Sequence, residues 1–177
     1  MILPTIRDKR FITLRRGGTL TDEDHRLLAV WAAECAAHAL HYFEDVCPRD
    51  DRPRRAIEAA HAWVNGELKM MRARDFAGAS QDAAREVKGI SEAARMAALS
   101  AGQAAVVAHV AAHELGAAAY AIRAAMEASP KKEREAARRR ECEWQRDRLP
   151  EKIRGLVLDD QRLRNDICWF VFEEVVT

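Results

Sequence analysis

Chain-breaking residues are scarce in this sequence: 8 glycines and 5 prolines stand among 177 residues. So few breakers leave few turns, and the elements between them must be long. Cysteine is scarce too. Cys35, Cys47, Cys142 and Cys168 form no CxxC pair, which excludes a disulfide framework and a zinc knuckle. Neither sign of charge is in excess, with 29 basic residues against 28 acidic ones and a net charge of +1. That balance gives no global field to draw in nucleic acid or an anionic membrane, and neither is expected as a partner. The opening MILPTIRDKR lacks the apolar core of about 7–15 residues that a secretion signal needs. No apolar run approaches the ~20 residues that span a bilayer. A cytoplasmic protein with reduced thiols is expected.

Catalytic signatures are also missing. Gly17-Gly18 is not followed by GK[ST], and no Ser or Cys lies in a nucleophile-elbow context. No catalytic residue, no cofactor-binding residue and no cofactor are expected. What the chain has instead is alanine, about one residue in five. Alanine loses no side-chain entropy in a helix and lets helices approach closely. A chain of this length buries about 70% of its unfolded surface, enough to fold without a disulfide or metal.

The pattern predicts an all-α domain over 21–177 after an N-terminal extension, 1–20. In the extension Phe11 to Leu14 has the pattern of a short strand and Gly17-Gly18 of a turn, so it is either hairpin-like or irregular. Its start is locally basic: Arg7, Lys9, Arg10, Arg15 and Arg16 against Asp8. This reads as a solvated terminus, with an anion-binding patch as the alternative. Thr21 then caps a helix running to about Val46, with Asp24 at the capping-box position. Asp51 caps a second helix, with Pro53 in its first turn and Gly66 past its end. A third runs from Leu68 to Val87, with Met71, Phe76, Ala79 and Ala83 on one face. The longest segment, 91–128, is apolar on every side and should form the centre, kinked or divided at Gly102. A charged helix over Lys131–Arg148 is anchored by Trp144. Pro150 opens a short helix, and a last one runs from Asp159 to about Val175. Six or seven helices around segment 91–128 are expected.

Four histidines come as close pairs. His109 and His113 share a helix face, as do His38 and His41, and paired histidines are common zinc ligands. Neither pair carries the glutamate of a hydrolytic zinc motif. The bland readings are a helix seam for the first pair and a solvent-facing stripe with Glu34 and Asp45 for the second. A metal-binding bundle or metal-dependent enzyme using these four is the alternative reading. Glu58 and His61 match one ExxH element of a di-iron bundle, but no second ExxH follows. The charge-dense turn Asp50–Arg55 offers Asp51, Arg52, Arg54 and Arg55 as contacts for a protein partner, since arginine favours bidentate carboxylate contacts.

Four stretches carry a resemblance in order along the chain: RFITLRRGGTLTDEDHRLLAVWAAECAAHAL, DDRPRRAIEAAHAW, AAVVAHVAAHELGAAAYAIRAA and EWQRDRLPEKIRGLVLDDQRLRNDICWFVF. Together they resemble the immunity-five-like family of bacterial immunity proteins, associated with polymorphic toxin systems. Trp31, Cys35, Asp51, Arg52, Pro53, Arg54, His109, His113 and Trp144 fall on the recurring motifs, while His61 departs from a commoner arginine. The resemblance implies a cytoplasmic antidote that binds a cognate toxin protein and blocks it. No enzymatic activity is expected, and the oligomeric state is expected to be a monomer or homodimer. It brings no active site with it.

Overall fold

A computed structural model describes residues 2–172. The fold is all-α. Seven helices of 13 residues or more stand among the described residues: α1 (Asp22–Ala39), α3 (Arg52–Val64), α4 (Met70–Glu86), α5 (Glu92–Val106), α6 (Glu114–Ala128), α7 (Arg134–Asp147) and α8 (Glu151–Leu163). A single turn, α2 (His41–Glu44), follows α1. None of the described helices is long and apolar enough to cross a membrane.

The helix starts follow local chemistry. Thr21 Oγ1 accepts from the Asp24 amide, and three acids fill the first turn of α1, where the helix dipole favours them. Ser91 caps α5 in the same way. At α3 the carboxylate that accepts from a first-turn amide is Asp50, on Arg52 N at 3.1 Å, whereas Asp51 makes no side-chain cap bond. Gly66 and Gly89 follow α3 and α4 with φ of +77° and +83°, the left-handed conformation that closes a helix end.

The expected long central segment is two helices. α5 ends at Val106, a 3-10 turn spans Ala111–His113, and α6 starts at Glu114. Gly102 is not the break. It lies inside α5, where a Cβ would stand 3.2 Å from the Ala77 carbonyl oxygen, so its smallness serves close packing on α4. α5 and α6 pack on each other and on α1, and α5 packs also on α4, through alanine: Ala94, Ala97, Ala101, Ala104, Ala118, Ala121 and their neighbours are buried. Two buried hydroxyls bridge the helices, with Ser80 donating to the Ala98 carbonyl at 2.8 Å and Ser100 to that of Ala117 at 2.7 Å.

Three further readings change. On α4 the buried face is Ala73, Ala77, Ser80, Ala83 and Ala84. Met71 is exposed instead. On α7 Trp144 is half-buried at the surface, and the residues turned inward are Ala137, Glu141, Cys142 and Gln145. The last stretch is one helix, α8, followed by turns through Phe172. The part of the expected terminal helix beyond Phe172 lies outside the described residues. In the extension Thr13, between two 3-10 turns, forms an isolated bridge with Leu20. Gly18 is required there, since a Cβ would fall 2.0 Å from the Ile12 carbonyl oxygen. Ile2, Phe11 and Leu20 join the core.

Candidate functional site

The structure sends the histidine pairs to separate places. His38 Nδ1 lies 2.8 Å from Glu141 Oε2. The His38 ring stacks on Trp144, 3.7 Å between centroids and 4° apart, and Arg148 covers Trp144 with its guanidinium carbon 3.8 Å from the ring centroid. His41 is exposed; its Nδ1 lies 3.0 Å from the His38 carbonyl and its ring 3.9 Å from that of Tyr42. His113 is buried, with Nδ1 2.7 Å from Gln103 Oε1. Because an amide oxygen only accepts, Nδ1 carries the proton. Burial pushes the His113 pKa down to about 4, so the ring is neutral. His109 contacts Met70 Sδ at 3.2 Å. Among the described residues no group of three His, Cys, Asp or Glu side chains is placed to hold a metal ion.

The Asp50–Arg55 turn spends much of its charge within the chain. Arg52 pairs with Asp50 and with Glu86 on α4, fastening the start of α3 to the end of α4. Arg54 pairs with Glu44, and the Arg55 guanidinium lies 5.2 Å from the Phe76 ring centroid. Asp51, Arg54 and Arg55 are exposed.

A buried ionic cluster stood outside the sequence reading. Arg164 contacts Glu114 at 3.1 Å and Asp160 closer still, with exposures of 6%, 0% and 4%. It also donates to the Ala112 carbonyl at 2.9 Å, tying the end of α8 to the α5–α6 link. Burial pushes the Glu114 pKa well up, against the pull of Arg164. Burial alone would lower that of Arg164, but Glu114 and Asp160 outweigh it and hold the guanidinium charged.

A concavity of about 680 Å³ lies where the N-terminal extension, α1, the α3–α4 loop and the α5–α6 link meet. Its apolar lining includes Phe11, Trp63 and Met70. His25 also lines it, its ring 4.8 Å from that of Trp63. His25 Nε2 lies 2.7 Å from the Val107 carbonyl oxygen and must donate to it. Burial lowers the His25 pKa, so that ring too is neutral near pH 7. Arg7, Arg16, Arg26 and Lys69 line the same cleft, and among the described residues none of them has a carboxylate partner. Arg15, also in the lining, pairs with Asp22. The His109 pKa is lowered first by burial and then by the charges of Arg16, Arg74 and Arg7, which records how the cations gather here. Two of them, Arg7 and Arg16, belong to the basic terminus noted in the sequence. Arg26, Lys69 and Arg74 come from segments too distant for spacing to reveal.

The thiols are spread through the fold. Cys35, Cys142 and Cys168 are buried and Cys47 is partly exposed. Burial raises the Cys35 pKa and pushes that of Cys168 up to about 12. Thiolate is the reactive form, so an aromatic disulfide reagent is expected to modify Cys47 quickly in the native protein and all four after unfolding without reductant. Fewer than four in the denatured protein would contradict this arrangement.

No curated protein and no solved structure matches the chain. A family model does match, over residues 18–152, about three quarters of the sequence, from the Gly18 turn to the first turn of α8. On that match the chain belongs to the Imm-5 like putative immunity protein family.

Proposed function

We propose that the protein is a cytoplasmic antidote that binds a cognate toxin protein and blocks it by occlusion, without turning anything over. Family membership over residues 18–152 carries this reading. The architecture is compatible with it: a helical frame with a closely packed interior presents a preorganised surface, which lowers the ordering cost of association. Asp51, Arg54 and Arg55, exposed at the start of α3, are the docking candidates, with Arg52 holding that turn in place. The antidote acts as a monomer or homodimer.

The test is co-expression with the product of the adjacent gene. The toxin alone is expected to stop growth, co-expression to restore it, and the two proteins to co-elute. Charge reversal at Arg54 and Arg55 should slow association most at low salt, because exposed charges act mainly on encounter rates. Failure of the intact protein to protect against the neighbouring product would sink the reading.

A further inference from the structure

The basic cleft gathers several cations in one hollow. Elsewhere many arginines find acids within the chain, among them Arg52 with Asp50 and Glu86, Arg95 with Glu92, Arg134 with Glu127 and Arg162 with Asp159. At the cleft, Arg7, Arg16, Arg26 and Lys69 line one hollow without such partners among the described residues, and Arg74 adds to the field there. Like charges gathered with Asp22 as the one acid in the lining repel one another and weaken the compact state. An anion is what relieves that repulsion.

The shape narrows the choice. A hollow of about 680 Å³ lies in the range of about 300–1,000 Å³ typical of small-molecule sites. It is too small to take a helix of about 10–12 Å diameter with its side chains. Its lining divides in two. Exposed guanidinium groups present planar forks that match phosphate oxygens. Trp63, partly exposed, offers a flat apolar face beside the neutral His25. Four or five cations exceed what one carboxylate would neutralise and suit a di- or triphosphate. We infer that this cleft binds a nucleoside polyphosphate, with phosphates among Arg7, Arg16, Arg26 and Lys69 and the base against Trp63. This goes beyond the antidote reading and stands or falls separately from it.

Titration calorimetry of the full chain at low salt without divalent metal tests it, with ATP, tripolyphosphate, adenosine and a hexaglutamate peptide as probes. ATP is expected to bind, tripolyphosphate several-fold more weakly, and adenosine not measurably at about 1 mM. Arg16 and Arg26 are exposed, so R16E/R26E should melt like the parent, yet bind ATP at least about tenfold more weakly through loss of charge-assisted contacts. R95E, at the opposite end of α5, should leave ATP affinity unchanged. W63A should erase the advantage of ATP over tripolyphosphate. No heat with ATP, or equal ATP affinity in R16E/R26E, would overturn the site. Hexaglutamate binding as tightly as ATP would reduce it to a patch for acidic protein segments, and tripolyphosphate matching ATP would remove the base from the assignment.

Discussion

Replacing Arg164 with leucine is expected to lower stability by about 3–5 kcal/mol, because it leaves Glu114 and Asp160 buried without their cation. For a chain of this length that corresponds to a fall in Tm of roughly 6–20 °C. The loss should depend on pH in a definite direction. Glu114 already has a folded pKa raised above its ordinary value by burial, so the native state holds its proton more tightly than the unfolded chain does. A raised carboxyl contributes stability that is complete below its unfolded pKa and is lost as pH rises through the folded one. Removing Arg164 takes away a downward influence on Glu114 and raises the folded pKa further. The gap between variant and parent should therefore be wider at pH 8 than at pH 5. Urea unfolding at the two pH values reads this directly. A loss under about 1 kcal/mol at pH 8, or a gap that widens toward acid, would mean that the cluster is not ionised as described.

Trp31→Ala should be comparably severe, at about 3–5 kcal/mol. Trp31 has no exposed surface, and its indole Nε1–H donates to the Gln145 carbonyl at 2.9 Å. Gln145 in turn donates through Nε2 to Glu141 and to the Ala118 carbonyl, so one side chain on α1 closes a polar seam between α6 and α7. Trp31→Phe keeps most of the apolar volume and removes the donor; the Gln145 carbonyl keeps the Arg148 amide at 3.3 Å, so about 0.5–1.5 kcal/mol is expected for the lost bond. Chemical denaturation of the two variants separates the effects. A phenylalanine variant as stable as the parent would show that the indole bond contributes nothing, and that packing alone holds the seam.

How far the sequence revealed this fold depended on whether the determinant was local. Thr21, Ser91, Gly66 and Gly89 act within a few residues, and each sits at the helix end its chemistry indicates. The break between α5 and α6 carries no glycine or proline, and Ala111–His113 has the composition of the helices beside it. Contacts from elsewhere accompany it, with His25 on the Val107 carbonyl and Arg164 on that of Ala112. The size of Trp144 argues for burial, while its partners, His38 and Arg148, hold it flat at the surface. On α4, Met71 and Phe76 outweighed the smaller Ala73 and Ala77, yet small residues are what close helix contacts demand. Of the cleft, only the basic terminus was legible. Its other walls come from residues 22–26, 63–70 and 108–111, and no spacing rule connects them.

The alanine contacts between α5 and α6 bear on how such a chain can change over generations. A side chain that ends at Cβ has no rotamer to adjust, so a larger replacement on either helix cannot be absorbed by its own rearrangement and must push the neighbouring backbone aside. Compensating change opposite is equally hard, since the facing residues are already among the smallest available. Drift is thereby steered away from the interior and onto the outward faces of the helices, where charged residues dominate and a substitution typically shifts stability by no more than about 0.5 kcal/mol. A lineage built on this frame can rewrite what it shows a partner while the scaffold beneath stays nearly fixed.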